Sequence, residues 1–138
     1  MNAEETLKKV PIFSGLEGKH LKRLANIMVE RTFKPGDVIV SEGDQGAGVF
    51  LISSGKVEVV RGEGQVLNTL GAGDFFGEMA LFEGFPRSAT VRAAEDTACL
   101  AMTRWDFRAE LNQNAEVALA VLETVVRRLR EADQKLSE

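Results

Sequence analysis

Gly77-Glu78-Met79-Ala80-Leu81-Phe82-Glu83-Gly84-Phe85-Pro86-Arg87-Ser88-Ala89-Thr90-Val91 carries more information than any other part of this chain. A glycine opens what reads as a short helical turn, an acid follows at once, and a proline-braced arginine comes nine residues after that acid. Free amide N–H groups at the start of a helical turn attract an anion, and arginine's planar fork completes a cradle around it. A carboxylate beside a phosphate would repel it, so Glu78 suits a different task, accepting hydrogen bonds from a sugar hydroxyl. The stretch therefore fits one small ligand that carries both a phosphate and a ribose. Pro86 fixes its own φ and holds Phe85 extended. Ser88-Ala89-Thr90-Val91 then alternates as a strand, which aims Arg87 or Ser88 inward. A buried guanidinium needs an anion, and here that is either Glu78 in a purely structural ion pair or a ligand. Met79, Ala80 and Ala89 offer backbone N–H groups, Ser88 a hydroxyl, and Gly77 a close approach of backbone to ligand.

Outward from this stretch, residues 29–102 read as short β runs. Pro35-Gly36 and Gly43-Asp44-Gln45-Gly46 mark turns ahead of Val49-Phe50-Leu51-Ile52. Val57-Glu58-Val59-Val60 leads through Gly62-Glu63-Gly64, a hairpin connection, to Val66-Leu67-Asn68-Thr69-Leu70. Ser88–Ala93 and Thr97–Met102 are the last two strands of the series. All glycines but Gly15 and Gly18 lie between Gly36 and Gly84, in this strand-rich part. Strands this short at near-regular spacing predict an antiparallel β jelly-roll barrel.

Both ends are helical, so the fold class is α+β, mainly β, with N-terminal helices (1–28), a β-roll (29–102) and C-terminal helices (104–138) in one domain. Residues 3–9 suggest a short helix that Pro11 interrupts, and Leu21, Leu24, Ala25 and Met28 recur at helical spacing over residues 17–28. Asp106–Leu111 reads as a short helix and residues 115–136 as a long one. Along the latter, Ala118, Leu122, Val125, Leu129, Ala132 and Leu136 alternate at spacings of four and three, the pattern of a coiled-coil seam. Two readings stand for that seam: a helix packed on its own barrel, or one that also meets a twin helix in a homodimer.

The totals exclude several classes. The net charge of −4 argues against nucleic-acid binding by this chain, which needs a basic face. No run approaches the roughly 18 apolar residues of a membrane span, and Met1-Asn2-Ala3-Glu4-Glu5 lacks the apolar stretch of a signal peptide. The lone Cys99, in Ala98-Cys99-Leu100-Ala101-Met102, reads as a core residue, and with no disulfide to form the chain fits the cytoplasm. Jelly-roll metalloenzymes need clustered histidines; His20, on an outer helix, is the only one here, so neither a metal nor catalysis is expected.

Phe76-Gly77-Glu78-Met79-Ala80-Leu81 with Pro86-Arg87-Ser88-Ala89-Thr90-Val91 resembles the phosphate-binding cassette of cyclic nucleotide-binding domains. These occur in the catabolite activator protein family, protein kinase A regulatory subunits and cyclic-nucleotide-gated channels. Pro35-Gly36-Asp37-Val38-Ile39, Phe50–Val59 and Gly71-Ala72-Gly73-Asp74-Phe75-Phe76 are similar to the same family's barrel strands and cassette approach. The resemblance implies that Glu78 binds the ribose 2′-hydroxyl and Arg87 the cyclic phosphate. It surrounds the phosphate with the amides of Met79, Ala80 and Ala89 and the Ser88 hydroxyl, and it sets Val59 and Leu67 beside the base. It also implies that the C-terminal helix caps the base and, in the activator branch, forms the dimer.

The chain departs from the family where the base is read. Ala132 and Asp133 stand where the activator branch has hydroxyl residues, and no tyrosine exists to stack on the base. Arg128 is the remaining polar candidate for that contact. Ser88 resembles cAMP-responsive bacterial members, whereas cGMP binders of the family often carry threonine there; Asp133 would suit the amino edge of guanine. The expectation is a cyclic nucleotide sensor, for cAMP ahead of cGMP, with no cofactor and acting through a twin chain or an output domain. The rival reading is a degenerate dimerisation barrel without ligand.

Overall fold

The computed structural model of the chain describes residues 3–13, 15–43, 48–77 and 89–137. Helix α1 (Ala3–Lys8) leads into a 3-10 turn (Pro11–Phe13) and helix α2 (Gly18–Ile27). Eight strands follow: β1 (Val29–Phe33), β2 (Val38–Val40), β3 (Gly48–Ser54), β4 (Lys56–Arg61), β5 (Gln65–Gly71), β6 (Phe75–Phe76), β7 (Thr90–Ala93) and β8 (Thr97–Thr103). Helices α3 (Arg104–Gln113) and α4 (Ala115–Ser137) complete the described chain. All strand pairings are antiparallel, in two four-stranded sheets ordered β1-β8-β3-β6 and β2-β7-β4-β5. The expected β-roll between helical ends is therefore present.

The reason one strand reads as an unbroken apolar run lies in what covers it. Side chains alternate across a strand. In β3, Val49 and Leu51 face the helices, packed with Leu100, Met102, Phe75 and the helical residues Leu7, Leu24, Phe107, Val117 and Val121. Phe50 and Ile52 face the barrel interior, with Val57, Leu70, Phe76, Val91 and Cys99. The central strands of the first sheet, β3 and β8, are thus covered on both faces and need apolar residues along most of their length, while β1 at the edge is largely exposed. The second sheet is covered on one side. Val57 and Val91 point in, while Glu58 and Arg92, paired across the ladder, form a 3.0 Å ion pair on the other face.

Turns follow the glycines. Lys34-Pro35-Gly36-Asp37 closes with Asp37 N–H donating to the Lys34 carbonyl at 3.0 Å and Gly36 at φ +89°, the type II pattern for Pro-Gly. At the crossing from β3 in one sheet to β4 in the other, Gly55 stands at φ +93°. A Cβ there would lie 2.4 Å from the Asp96 carbonyl oxygen, so glycine is required twice over.

One helical boundary and one helical face differ from expectation. Helix α3 starts at Arg104 rather than Asp106, because the Thr103 hydroxyl accepts a hydrogen bond from Asp106 N–H at 3.1 Å and caps the first turn. Helix α4 packs against the 3-10 turn and α3. It turns Val117, Val121 and Val125 toward the helical core. Val125, expected in the seam, is accordingly core-facing. Among the described residues, the exposed large apolar side chains of α4 are Leu119, Leu122, Val126 and Leu129. Ala118 is half-buried, Ala132 is exposed, and the side chain of Leu136 lies outside the described residues.

Candidate functional site

The site expected from the sequence bridges the two sheets. Strand β6 belongs to the helix-covered sheet and β7 to the other, and the connection between them runs from Gly77 to Ala89. Of the residues singled out there, Glu78, Met79, Ala80, Arg87 and Ser88 lie outside the described residues. Both ends of the connection are described. Gly77 has φ +93°, a conformation other residues rarely adopt, which gives this glycine a backbone reason. Ala89 is buried, at 8% exposure, and shares odd parity with Val91 and Ala93, which are buried as well.

The approach to Gly77 is held by backbone and one carboxylate. Gly73 N–H donates to the Ile52 carbonyl, and Ile52 N–H to the Asp74 carbonyl, both at 2.9 Å. The Asp74 carboxylate accepts from Gly71 N–H at 2.9 Å, locking the turn that precedes β6. Strand β6 then pairs with β3, Phe75 opposite Leu51 and Phe76 opposite Phe50. The rings of Phe50 and Phe76 stack 5.1 Å apart with planes inclined by 9°. The far end is pinned too: the Thr90 hydroxyl accepts from Glu42 N–H at 2.9 Å, and the Glu42 carboxylate accepts from Gly62 N–H at 3.2 Å. The sequence pattern did not single out Asp74, Glu42 or Thr90 as supports. An acid three residues after a glycine, in a glycine-rich turn, was the available signal for Asp74.

Val59 and Leu67, expected beside a base, lie on β4 and β5 of the one-sided sheet. Val59 pairs with Val91 and packs against the barrel-interior core. Leu67 sits next to the irregularity where β5 shifts register against β4 between Val59 and Val60, and it is half-buried. Arg128, the expected polar cap, reaches from α4 to β6. Its Nη2 donates to the Phe75 carbonyl at 2.6 Å, and its guanidinium carbon lies 4.8 Å from the centre of the Phe75 ring. The structure thus brings Arg128 to the doorstep of the connection through Phe75. It brings Gly77, Ala89 and Val59 to the two ends and the inner wall.

No group of three or more His, Cys, Asp or Glu among the described residues could hold a metal. His20 lies partly exposed on α2. Cys99 is fully buried, and burial pushes its thiol up from 9.0 to about 11, as a packed rather than a reactive cysteine requires. No helix among the described residues is long and apolar enough to cross a membrane.

The family profile of the cyclic nucleotide-binding domain matches residues 30–114, more than half of the chain, and spans both ends of the connection. The cyclic AMP receptor protein of Thermus thermophilus is 37% identical over 134 residues, 94% of this chain and 62% of the receptor. A cAMP-dependent protein kinase regulatory subunit from Hypocrea atroviridis is 42% identical over 93 residues, 67% of this chain and 20% of the subunit. The crystal structure of the Thermus thermophilus catabolite activator protein superposes with a TM-score of 0.79 over 92% of this chain and 62% of that one, at 37% identity. The chain therefore spans less than two thirds of the length of each of these relatives.

Proposed function

This chain belongs to the cyclic nucleotide-binding domain family, and from that premise we propose that it is a cAMP sensor whose α4 reports whether the 77–89 connection is occupied. The observation that carries the proposal is the presence of both Glu78 and Arg87, at cassette spacing, inside the matched residues. A purely structural Glu78–Arg87 ion pair is the competing account, and the titration below decides between the two. In this reading Arg87 grips the cyclic phosphate with the amides of Met79, Ala80 and Ala89 and the Ser88 hydroxyl. Glu78 takes the ribose hydroxyl, and Val59 and Leu67 flank the base.

The preference for cAMP rests on Ser88 and on relatives that are themselves named for cAMP. A second reading, cGMP, rests on Asp133, which is exposed on α4 and whose carboxylate suits guanine's amino edge. Output is a population shift: the ligand favours one placement of α4 by making better contacts when the helix is there. A second copy along the exposed apolar stripe of α4, or an effector domain joined to it, then reads the helix. The reading is of a binding module in the cytoplasm, without a catalytic step.

Calorimetric titration with cAMP and cGMP tests it. Charge-assisted hydrogen bonds contribute about 1.5–3 kcal/mol each. Arg87→Ala, which removes two of them, should weaken binding about 10²–10⁴-fold. Wild-type protein that binds neither nucleotide would leave the degenerate barrel as the answer, and tighter binding of cGMP would reverse the preference.

A further inference from the structure

Glu42 is bonded to two strands that are not its own. Its backbone N–H donates to the Thr90 hydroxyl at 2.9 Å, and its carboxylate accepts from Gly62 N–H, just past the end of β4, at 3.2 Å. Those partners flank one residue. Thr90 is the ladder partner of Val60, and Gly62 follows Val60 by two. By alternation along β4, Val60 shares a face with Glu58, away from the barrel interior where Val57 and Val59 pack. Yet Val60 is only 5% exposed and belongs to neither core. Among the described residues, the segment bonded to both of its flanks is that of Glu42, which therefore lies across it.

The place matters more than the strength of the bonds. Val60 and Thr90 form the last pair of the β4–β7 ladder, because β7 begins at Thr90 and β4 ends at Arg61. Ladder ends open first, having neighbours on one side only. Both halves of the proposed site hang from this end. Ala89, whose amide is assigned to the phosphate, immediately precedes Thr90, and Val59, assigned to the base, immediately precedes Val60. An opening of the last pair would displace both. Glu42 itself is exposed, so its bonds compete with water and add little to the stability of the fold.

We propose that Glu42 is a positioning residue: by clamping the open end of the β4–β7 ladder from its outer face, it keeps the phosphate end of the nucleotide site in register with the base wall. The inference rests on the nucleotide-sensor reading and deepens it. In this role Glu42 acts through Thr90 and Gly62 rather than on the nucleotide. With the clamp in place, the Ala89 amide and the Val59 side chain are already set for the ligand. Without it, binding must also order the ladder end, which costs affinity.

The experiment uses the full chain with Glu42→Ala, Glu42→Gln, Thr90→Val, Thr90→Ser and the Glu42→Ala/Thr90→Val double variant. Affinity for cAMP and cGMP is measured by calorimetry, stability by urea titration, and backbone amide exchange in residues 59–62 and 89–92 without ligand. Glu42→Ala and Thr90→Val should each weaken binding of the preferred nucleotide by about 3–30-fold, with the urea midpoint nearly unchanged. The double variant should fall well short of the product of the two losses, since either change frees the same segment. Glu42→Gln keeps an oxygen that accepts from Gly62, and Thr90→Ser keeps the hydroxyl; both should recover most of the loss. Nucleotide affinity unchanged in Glu42→Ala would overturn the proposal, whatever happens to the urea midpoint. So would losses that multiply in the double variant, because the two bonds would then act separately. Should wild type bind no nucleotide, the sensor reading itself fails, and the exchange data still decide the clamp: faster exchange confined to residues 59–62 and 89–92 in Glu42→Ala supports it, and an unchanged profile overturns it.

Discussion

Two single positions show how tightly side chains and backbone are matched in the barrel. Gly55 combines a positive φ with contact distances of 2.4–2.7 Å from a would-be Cβ to Asp96 and Thr97. Neither obstacle is the far end of a flexible side chain: the Asp96 carbonyl and the Thr97 backbone would have to move. Gly55→Ala should therefore lower stability by about 2–4 kcal/mol, combining left-handed strain with overpacking, read as a reduced urea midpoint at unchanged slope. Cys99 gives a pH dependence. Its folded-state thiol is raised by burial to about 11 from 9.0, so between those values the folded chain holds a proton that the unfolded chain has lost. Stability is complete below pH 9 and should fall by about 1.4 kcal/mol per unit as pH rises toward 11. Cys99→Ala, compared with wild type in urea titrations at each pH, should remove that slope.

Among the elements, α2 and α3 are joined by a buried acid. Glu110 is 4% exposed, and its carboxylate accepts from Arg23 of α2 at 2.9 Å and from the side chain of Asn114. Arg23 also donates to the Gln113 side chain at 3.1 Å. Its own side chain is 46% exposed, so it regains water when the pair is broken, and the cost falls mainly on Asn114 and the emptied site. Glu110→Ala should destabilise the chain by about 1–3 kcal/mol, with amide exchange around Leu21 and Leu24 accelerating ahead of the barrel. Helix existence was legible from spacing alone, as α2 shows with Leu21 and Leu24 buried. The start of α3, expected at Asp106, was missed by two residues, although Thr103-Arg104-Trp105-Asp106, a hydroxyl residue three before an acid, carried the signal. What spacing could not settle was the rotation of α4. Val125 and Val126 are both valine and adjacent, so frames through either one share Leu122 and Leu129. Packing against the 3-10 turn and α3 chose Val125 for the core.

For the whole molecule that rotation redefines the dimer proposal. Leu119, Leu122, Val126 and Leu129 are 64%, 56%, 44% and 61% exposed, and their spacings of three and four form a continuous seam along one side of α4. A second copy of the chain is the occupant that such a self-complementary helix fits. Sedimentation should find wild type dimeric at high micromolar concentration and Leu122→Glu/Leu129→Glu monomeric, while Ala118→Glu, off the seam, should stay dimeric. Wild type that is monomeric throughout would end the proposal. The barrel was readable because turns and alternation are local properties, while the order of strands within its two sheets rests on long-range pairing that local pattern does not carry. Glu78 and Arg87 are proposed from residue type and spacing and lie outside the described residues, whereas Asp74, Glu42 and Arg128 were not legible as supports, because they act on backbone groups that no spacing rule names.

The sheet shared by the two cores has a consequence for dissection of the chain. Val49, Leu51, Leu100 and Met102 lie under the helices as firmly as Phe50, Ile52 and Cys99 lie inside the barrel. Residues 29–103 on their own would turn that covered wall out to water, an oily plane presented by β3, β6 and β8. Such a fragment would clump rather than fold. The terminal helices therefore supply the far wall of one of the domain's two cores.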